Sequence, residues 1–144
     1  MVSQIYLLLH NIRSTHNVGA IFRTADAAGV KKIYLSGYTP APVDRFGREN
    51  KALAKVALGA EKTIGWERVE SIKEFIKKLR KEKLKIIALE QDKRSSDYRK
   101  IKPENNNLII LGNEVGGIDK EILDICDEIV EIPMLGKKES LNVS

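Results

Sequence analysis

The sequence predicts an α/β fold with a mostly parallel sheet flanked by helices. Continuous apolar runs at residues 5–9, 84–89 and 108–111 match strands covered on both faces, as central parallel strands are. Between them, residues 70–82 place Ile72, Phe75, Ile76 and Leu79 on one helical face with Lys, Arg and Glu opposite. Strand-like and helix-like segments alternate along the whole chain, which is the pattern of βαβ units.

Each element has its own signal. Residues 5–9 form the first strand, and residues 17–29 a helix that Asn17 caps and Gly29 stops. Ile33-Tyr34-Leu35 is a second strand, closed by Gly37, and the Pro, Gly, Asp and Arg content of residues 38–48 makes a loop. Residues 50–58 are Ala-rich and helical up to Gly59, and Thr63-Ile64 reads as a short strand. After the 70–82 helix and the 84–89 strand, residues 91–107 are polar and contain Pro103. The 108–111 strand runs into Gly112-Asn113-Glu114-Val115-Gly116-Gly117; a helix over 119–125, a strand over 129–132 and a last helix from Ser140 follow. No repeat or low-complexity tract interrupts the pattern, and the 38–48 and 91–107 loops are expected to be the most mobile parts.

A length of 144 residues predicts a single domain over 1–144. Apolar and charged fractions of 42% and 31% are those of a soluble globular protein. No apolar run approaches the roughly 20 residues that span a bilayer. Met1-Val2-Ser3-Gln4 lacks a basic leader region, so no signal peptide and a cytoplasmic location are expected. The lone Cys126 has no internal disulfide partner, which fits a reducing compartment. With only His10 and His16 beside it, no metal site is expected. The net charge of +5 favours a phosphate-rich partner; a Lys-rich surface that binds nothing anionic is the alternative.

Chemistry concentrates in segments that each follow an apolar strand, where open α/β sheets gather ligands. In Asn11–Ala25, Asn17 at a helix start offers backbone N–H groups to an anionic oxygen, and Arg23 lies among small and apolar residues. The competing reading makes Asn17 a plain cap and pairs Arg23 with Asp26. Gly112–Gly117 matches neither the dinucleotide fingerprint nor the P-loop, so it is a turn that admits close backbone approach, with or without a ligand. The tail Ile132–Ser144 alternates polar and aliphatic residues from Ser140 on, as the first turn of a buried helix with polar residues facing a site does. Otherwise Ser140 merely caps a helix and Met134 fills core. His16 reads as a solvated loop residue and Cys126 as core.

In type, order and spacing, these segments resemble the three motifs of the SpoU (TrmH-like) ribose 2′-O-methyltransferases of the SPOUT superfamily. Asn11–Ala25 is similar to motif 1, Leu111–Ile118 to motif 2 and Ile132–Ser144 to motif 3, with Leu89-Glu90-Gln91 also similar. The resemblance implies an α/β sheet with a C-terminal trefoil knot, otherwise nearly absent from proteins. It implies S-adenosylmethionine held by main-chain groups around Leu89, Gly112, Ile132 and Leu141, with Met134 and Ser140 nearby. It also implies a homodimer in which motif 1 faces the partner's cofactor, and tRNA or rRNA as substrate.

The family gives Arg23 the activation of the ribose 2′-hydroxyl. A guanidinium stays protonated in proteins, so the alternative is that Arg23 positions the ribose and stabilises the alkoxide. Asn17 would orient an RNA phosphate or Arg23; Glu114 would orient loop and substrate; Ser140 and Asn142 would hold the tail and the reacting ribose. Arg13, Arg45, Arg48 and the Lys137-Lys138 pair then hold RNA phosphates, or are solvated faces. Family members carry an extension before motif 1 in some cases and continue past motif 3 into an apolar helix that threads the knot. This sequence begins close to motif 1 and stops at Ser144, so a minimal catalytic domain with an incomplete knot is expected. A non-enzymatic RNA-binding module with a degenerate knot is the rival reading.

Overall fold

The structure, a computed structural model, describes residues 3–102 and 106–144. Met1-Val2 of the leader reading and residues 103–105 of the polar loop lie outside the described residues. Seven strands form one parallel sheet: β1 (Ile5–His10), β2 (Lys32–Ser36), β3 (Gly65–Val69), β4 (Lys85–Leu89), β5 (Ser96–Asp97), β6 (Asn107–Leu111) and β7 (Glu128–Glu131). Their spatial order is β3-β2-β1-β6-β4-β7-β5. The chain builds outward from β1 to β3 on one side and places β4 to β7 on the other, so the direction of winding reverses between β1 and β6. Such a reversal opens a crevice at the carboxyl ends of the strands.

Strand periodicity divides the core into two layers. Leu9, Ile33, Leu35 and Leu111 point to one face, and Leu8, Tyr34, Leu108 and Ile110 to the other. The first face is covered by α1 (Thr15–Ala28), α2 (Lys51–Ala57) and the one-turn α3 (Ala60–Thr63) through Val18, Ile21, Phe22, Leu53 and Ala60. The second is covered by α4 (Ile72–Lys81) and α5 (Lys120–Ile125) through Ile76, Leu79, Ile122 and Leu123. Gly19 allows α1 and α2 to touch, since a Cβ there would lie 2.7 Å from the Leu53 carbonyl oxygen.

Several sequence expectations are corrected. Ser14, not Asn17, caps α1: its Oγ accepts from the Asn17 N–H at 3.1 Å, and Asn17 sits inside the first turn. Gly29 does end that helix, at φ 77°. Thr63 closes α3 and Ile64 follows it; the strand expected there is β3, one residue further on. One helical turn over Ala60–Thr63 satisfies the Ile64 N–H through Ala60 and leaves no partner position for a strand. β7 stops at Glu131, which puts Ile132 just beyond it.

The 38–48 loop is an organised turn, because Asp44 Oδ1 accepts from the N–H groups of Phe46 at 2.8 Å and Arg48 at 2.9 Å. The 91–107 segment contains β5 and a 3₁₀ turn over Tyr98–Lys100. The helix expected from Ser140 is absent; residues 140–144 are irregular. The tail is held instead by hydrogen bonds to distant elements, from Asn142 to Asn17 and from Gln91 to the Glu139 carbonyl. Among the described residues no helix is long and apolar enough to cross a membrane.

Candidate functional site

The carboxyl ends of β1, β6, β4 and β7 lie side by side and release the residues that build the site. After β6 the chain turns tightly at Gly112–Gly117. Asn113 organises this turn: its Oδ1 accepts from the N–H groups of Val115 (2.9 Å) and Gly116 (2.8 Å). Its Nδ2 donates to the Asn11 carbonyl (2.9 Å) and the Tyr38 hydroxyl (2.7 Å), tying the turn to the ends of β1 and β2. Gly117 adopts φ 70°, and Glu90, just past β4, accepts from the Ile118 N–H at 2.7 Å through Oε2. A Cβ on Gly117 would overlap that carboxylate oxygen. The glycines are therefore required by close packing of three loops as well as by backbone angle.

Glu114 reaches from this turn to the start of α1, 100 residues earlier in the chain. Its carboxylate accepts from the N–H groups of Arg13 and Ser14, both at 2.9 Å, and from Asn17 Nδ2 at 3.0 Å. Asn17 Oδ1 in turn accepts from Asn142 Nδ2 at 3.1 Å, and Asn142 also donates to Ser144 Oγ at 2.6 Å. A second tether runs from Gln91 Nε2 to the Glu139 carbonyl at 2.8 Å. Val143 packs on the α1-side core. The tail is thus an irregular strap fastened across the sheet edge, and one hydrogen-bond chain links all three sequence segments.

Partial burial pushes the Glu114 carboxyl up. The N–H groups of Arg13 and Ser14 and the Asn17 amide outweigh that and hold it below the ordinary carboxylate value. A depressed folded value means that its stabilising contribution is present above the unfolded value, about pH 4.3, and is lost as pH falls through the folded one. The stability gap between wild type and Glu114→Gln is therefore expected to be widest near neutral pH and to shrink below about pH 4. Denaturant unfolding at a series of pH values measures it, and a gap that widens in acid contradicts this role.

The strap, the glycine turn and the ends of β4, β6 and β7 enclose a cleft of about 760 Å³. Every expected cofactor-contacting residue lines it: Leu89, Gly112, Ile132, Met134, Ser140 and Leu141. Ser140 and Leu141 line it from the exposed strap and not from a buried helix; Leu141 is 61% exposed. Glu114 and Asn142 also face the cleft, and Asn17 joins it through them. The walls mix apolar residues with polar ones, and Glu90, Glu114 and Glu131 are among the lining residues. An acidic cleft in a basic protein suits a cationic ligand and disfavours a bare phosphate.

Arg23 stands apart. It is exposed on α1, does not line the cleft, and makes no ion pair or hydrogen bond among the described residues. The alternative pairing with Asp26 is not formed; Asp26 accepts from Thr63 Oγ1 at 3.4 Å. Arg13, Lys137 and Lys138 are exposed. Arg48 is held by Asp44 (2.8 Å), whereas the Arg45 guanidinium lies over the Phe46 ring at 4.8 Å. His16 is exposed, as a loop residue would be, although it sits in the first turn of α1. The Cys126 thiol is pushed up to about 11 by burial, which leaves it unreactive at neutral pH. Among the described residues no cluster of three or more His, Cys, Asp or Glu side chains is placed to hold a metal ion.

Sequence reasoning missed two structural organisers, Asn113 and Glu90. Both lie within the matching segments, and their long-range hydrogen bonds tie the turn to β1, β2 and β4. The signal for Asn113 was present: an Asn two residues before Val-Gly-Gly, in Asn113-Glu114-Val115-Gly116-Gly117, suits an Asx-turn.

Residues 4–144 match the SpoU rRNA Methylase family. The chain is 34% identical to the 23S rRNA (guanosine-2′-O-)-methyltransferase RlmB of Neisseria meningitidis serogroup B, over 97% of this chain and 53% of that protein. It is 31% identical to the tRNA (guanosine(18)-2′-O)-methyltransferase of Aquifex aeolicus, over 93% of this chain and 60% of that protein. Among solved structures, the AdoMet-bound rRNA methyltransferase from Sinorhizobium meliloti superposes with a TM-score of 0.87 at 28% identity, covering 99% of this chain and 52% of that one. The chain spans about half the length of the curated relatives it matches.

Proposed function

The chain belongs to the SpoU rRNA Methylase family, and from that premise we propose that it transfers a methyl group from S-adenosylmethionine to a ribose 2′-hydroxyl of tRNA or rRNA. One observation carries the proposal: the Glu114–Asn17–Asn142 chain draws the three motif segments around a single cleft lined by every expected cofactor residue. The residues present fit the cofactor. Apolar side chains of Leu89, Ile132, Met134 and Leu141 suit an adenine ring, and the carboxylates of Glu90, Glu114 and Glu131 suit a sulfonium and an ammonium. A volume near 760 Å³ is within the usual range for a ligand of this size.

Bound S-adenosylmethionine supplies an electrophilic methyl group. The chain's residues supply position and electrostatics. Glu114 fixes the first turn of α1, and Asn17 passes that constraint to Asn142, so the strap closes over the cleft edge. Ser140 and Asn142 present hydroxyl and amide groups to the incoming ribose. Arg23 orients the ribose and its phosphate and stabilises negative charge on the attacking 2′-oxygen, whose proton passes to solvent as the methyl group leaves sulfur for oxygen. Arg23 does not line the cleft of its own chain; that agrees with the arrangement the family resemblance implies, in which it serves the cleft of a second copy and the working unit is a homodimer. The residues 1–144 act as one catalytic domain, in the cytoplasm.

The test is incubation with labelled S-adenosylmethionine and total RNA, followed by nuclease digestion and mass spectrometry of nucleosides. A 2′-O-methylated nucleoside is expected. RNA that is bound but never methylated would support the non-enzymatic module instead.

A further inference from the structure

The turn after β2 presents an aromatic ring that the cleft does not use. Phe46 is 66% exposed. Single exposed apolar residues are ordinary, but this one is held out deliberately. Asp44 accepts from the N–H groups of Phe46 and Arg48 and from Arg48 Nε, Gly47 takes φ 79°, and Val43 bridges Glu49. The base of the loop is clamped as well: Arg68 donates to the carbonyls of Gly37 (3.1 Å) and Thr39 (2.6 Å), and buried Thr39 donates to Leu9 and Ser36. Two guanidinium groups lie over the ring, Arg45 at 4.8 Å and Arg48 at 5.0 Å. Arg48 is partly neutralised by Asp44, whereas Arg45 has no acidic partner among the described residues. The same loop opens at Tyr38, itself 59% exposed, whose hydroxyl accepts from the cleft residue Asn113.

A rigid turn offering an aromatic face, one free guanidinium and one fixed guanidinium, on a segment fastened to the cleft, matches the chemistry that binds single-stranded nucleic acid. Bases stack on aromatic and guanidinium planes there, and cations track the backbone. We propose that the Asp44–Arg48 turn is a stacking platform for an unpaired RNA base near the methylated ribose, with Phe46 receiving the base and Arg45 an adjacent phosphate. This rests on the reading that RNA is the substrate. It adds a specificity element outside the reaction centre: RNA with an unpaired base within reach of the turn is preferred over continuous duplex.

The experiment measures binding of a fluorescent single-stranded oligoribonucleotide to the wild-type chain, Phe46→Ala, Phe46→Trp and Arg45→Gln, alongside S-adenosylmethionine affinity. Phe46→Ala should weaken RNA binding roughly tenfold, as loss of one stacked base does, with cofactor affinity unchanged. Phe46→Trp should bind as wild type, and its added fluorescence should be quenched by RNA beyond the change from Trp66 alone. Arg45→Gln should lower the salt dependence by about one counterion. Wild-type RNA affinity in Phe46→Ala overturns the platform, as does an unquenched Phe46→Trp. A shift in sedimentation with RNA affinity unchanged assigns the turn to a contact between copies and also overturns it. RNA binding that depends on Phe46 without any methyl transfer leaves the platform standing and removes the enzymatic reading.

Discussion

Arg23→Ala should reduce methyl transfer by about 10²–10³-fold, the usual cost of removing one preorganised group that stabilises developing oxyanion charge. S-adenosylmethionine affinity should not change, because the residues that line the cleft are intact and Arg23 acts on the ribose and its phosphate. Fold stability should also hold, since the side chain is exposed and makes no ion pair among the described residues. Arg23→Lys should recover little, because a lysine lacks the planar fork that grips a ribose–phosphate unit. Single-turnover kinetics with saturating RNA measures the effect. Unchanged turnover removes Arg23 from the mechanism. Placement in trans makes a sharper demand: mixed dimers of Arg23→Ala with a cleft-defective chain should regain activity, since one composite site is intact.

Gly117→Ala supplies that cleft-defective chain and is the second large expected effect. The position takes φ 70°, which costs a non-glycine residue about 1–2 kcal/mol. The new Cβ also displaces Glu90, and the Ile118 N–H loses its acceptor, worth about 1–3 kcal/mol for a shielded donor. A loss of about 2–4 kcal/mol in denaturant unfolding is expected, with cofactor affinity falling at least tenfold as the turn moves. Gly112→Ala should behave similarly, because its Cβ would sit 2.5 Å from Ile118 Cγ1 and 2.8 Å from the Gly117 carbonyl carbon. Gly136→Ala is the control: nothing lies within 4 Å of a Cβ there, and its effect on stability should be small.

The sheet was readable because its signal is local. Leu7, Leu8 and Leu9 are apolar whichever face they take, and both faces of this sheet are covered. The helix over 72–81 was equally plain from one apolar stripe. Errors arose where a distant residue decides. Asn17 and Ser14 are both good caps by type, and Glu114 contacts the turn in a way that leaves Ser14 as the cap and Asn17 as its hydrogen-bond partner. The strap was misread as helix because a run of five residues is too short for its polar-aliphatic alternation to select a period; the chain there is irregular, with Val143 packed on the α1-side core and Leu141 61% exposed at the cleft. The candidate site was legible as a set of residues through family resemblance. The hydrogen-bond chain that joins them was not, since each link crosses about 100 residues or more.

The central claim is that the strap and the glycine turn form one binding surface for the methyl donor. Titration calorimetry of S-adenosylmethionine into wild type, Arg23→Ala and Gly117→Ala tests it most directly. Saturable heat with one donor per chain is expected for wild type and Arg23→Ala, with binding lost or strongly weakened in Gly117→Ala. No heat from wild type at millimolar donor, or wild-type affinity in Gly117→Ala, would contradict it.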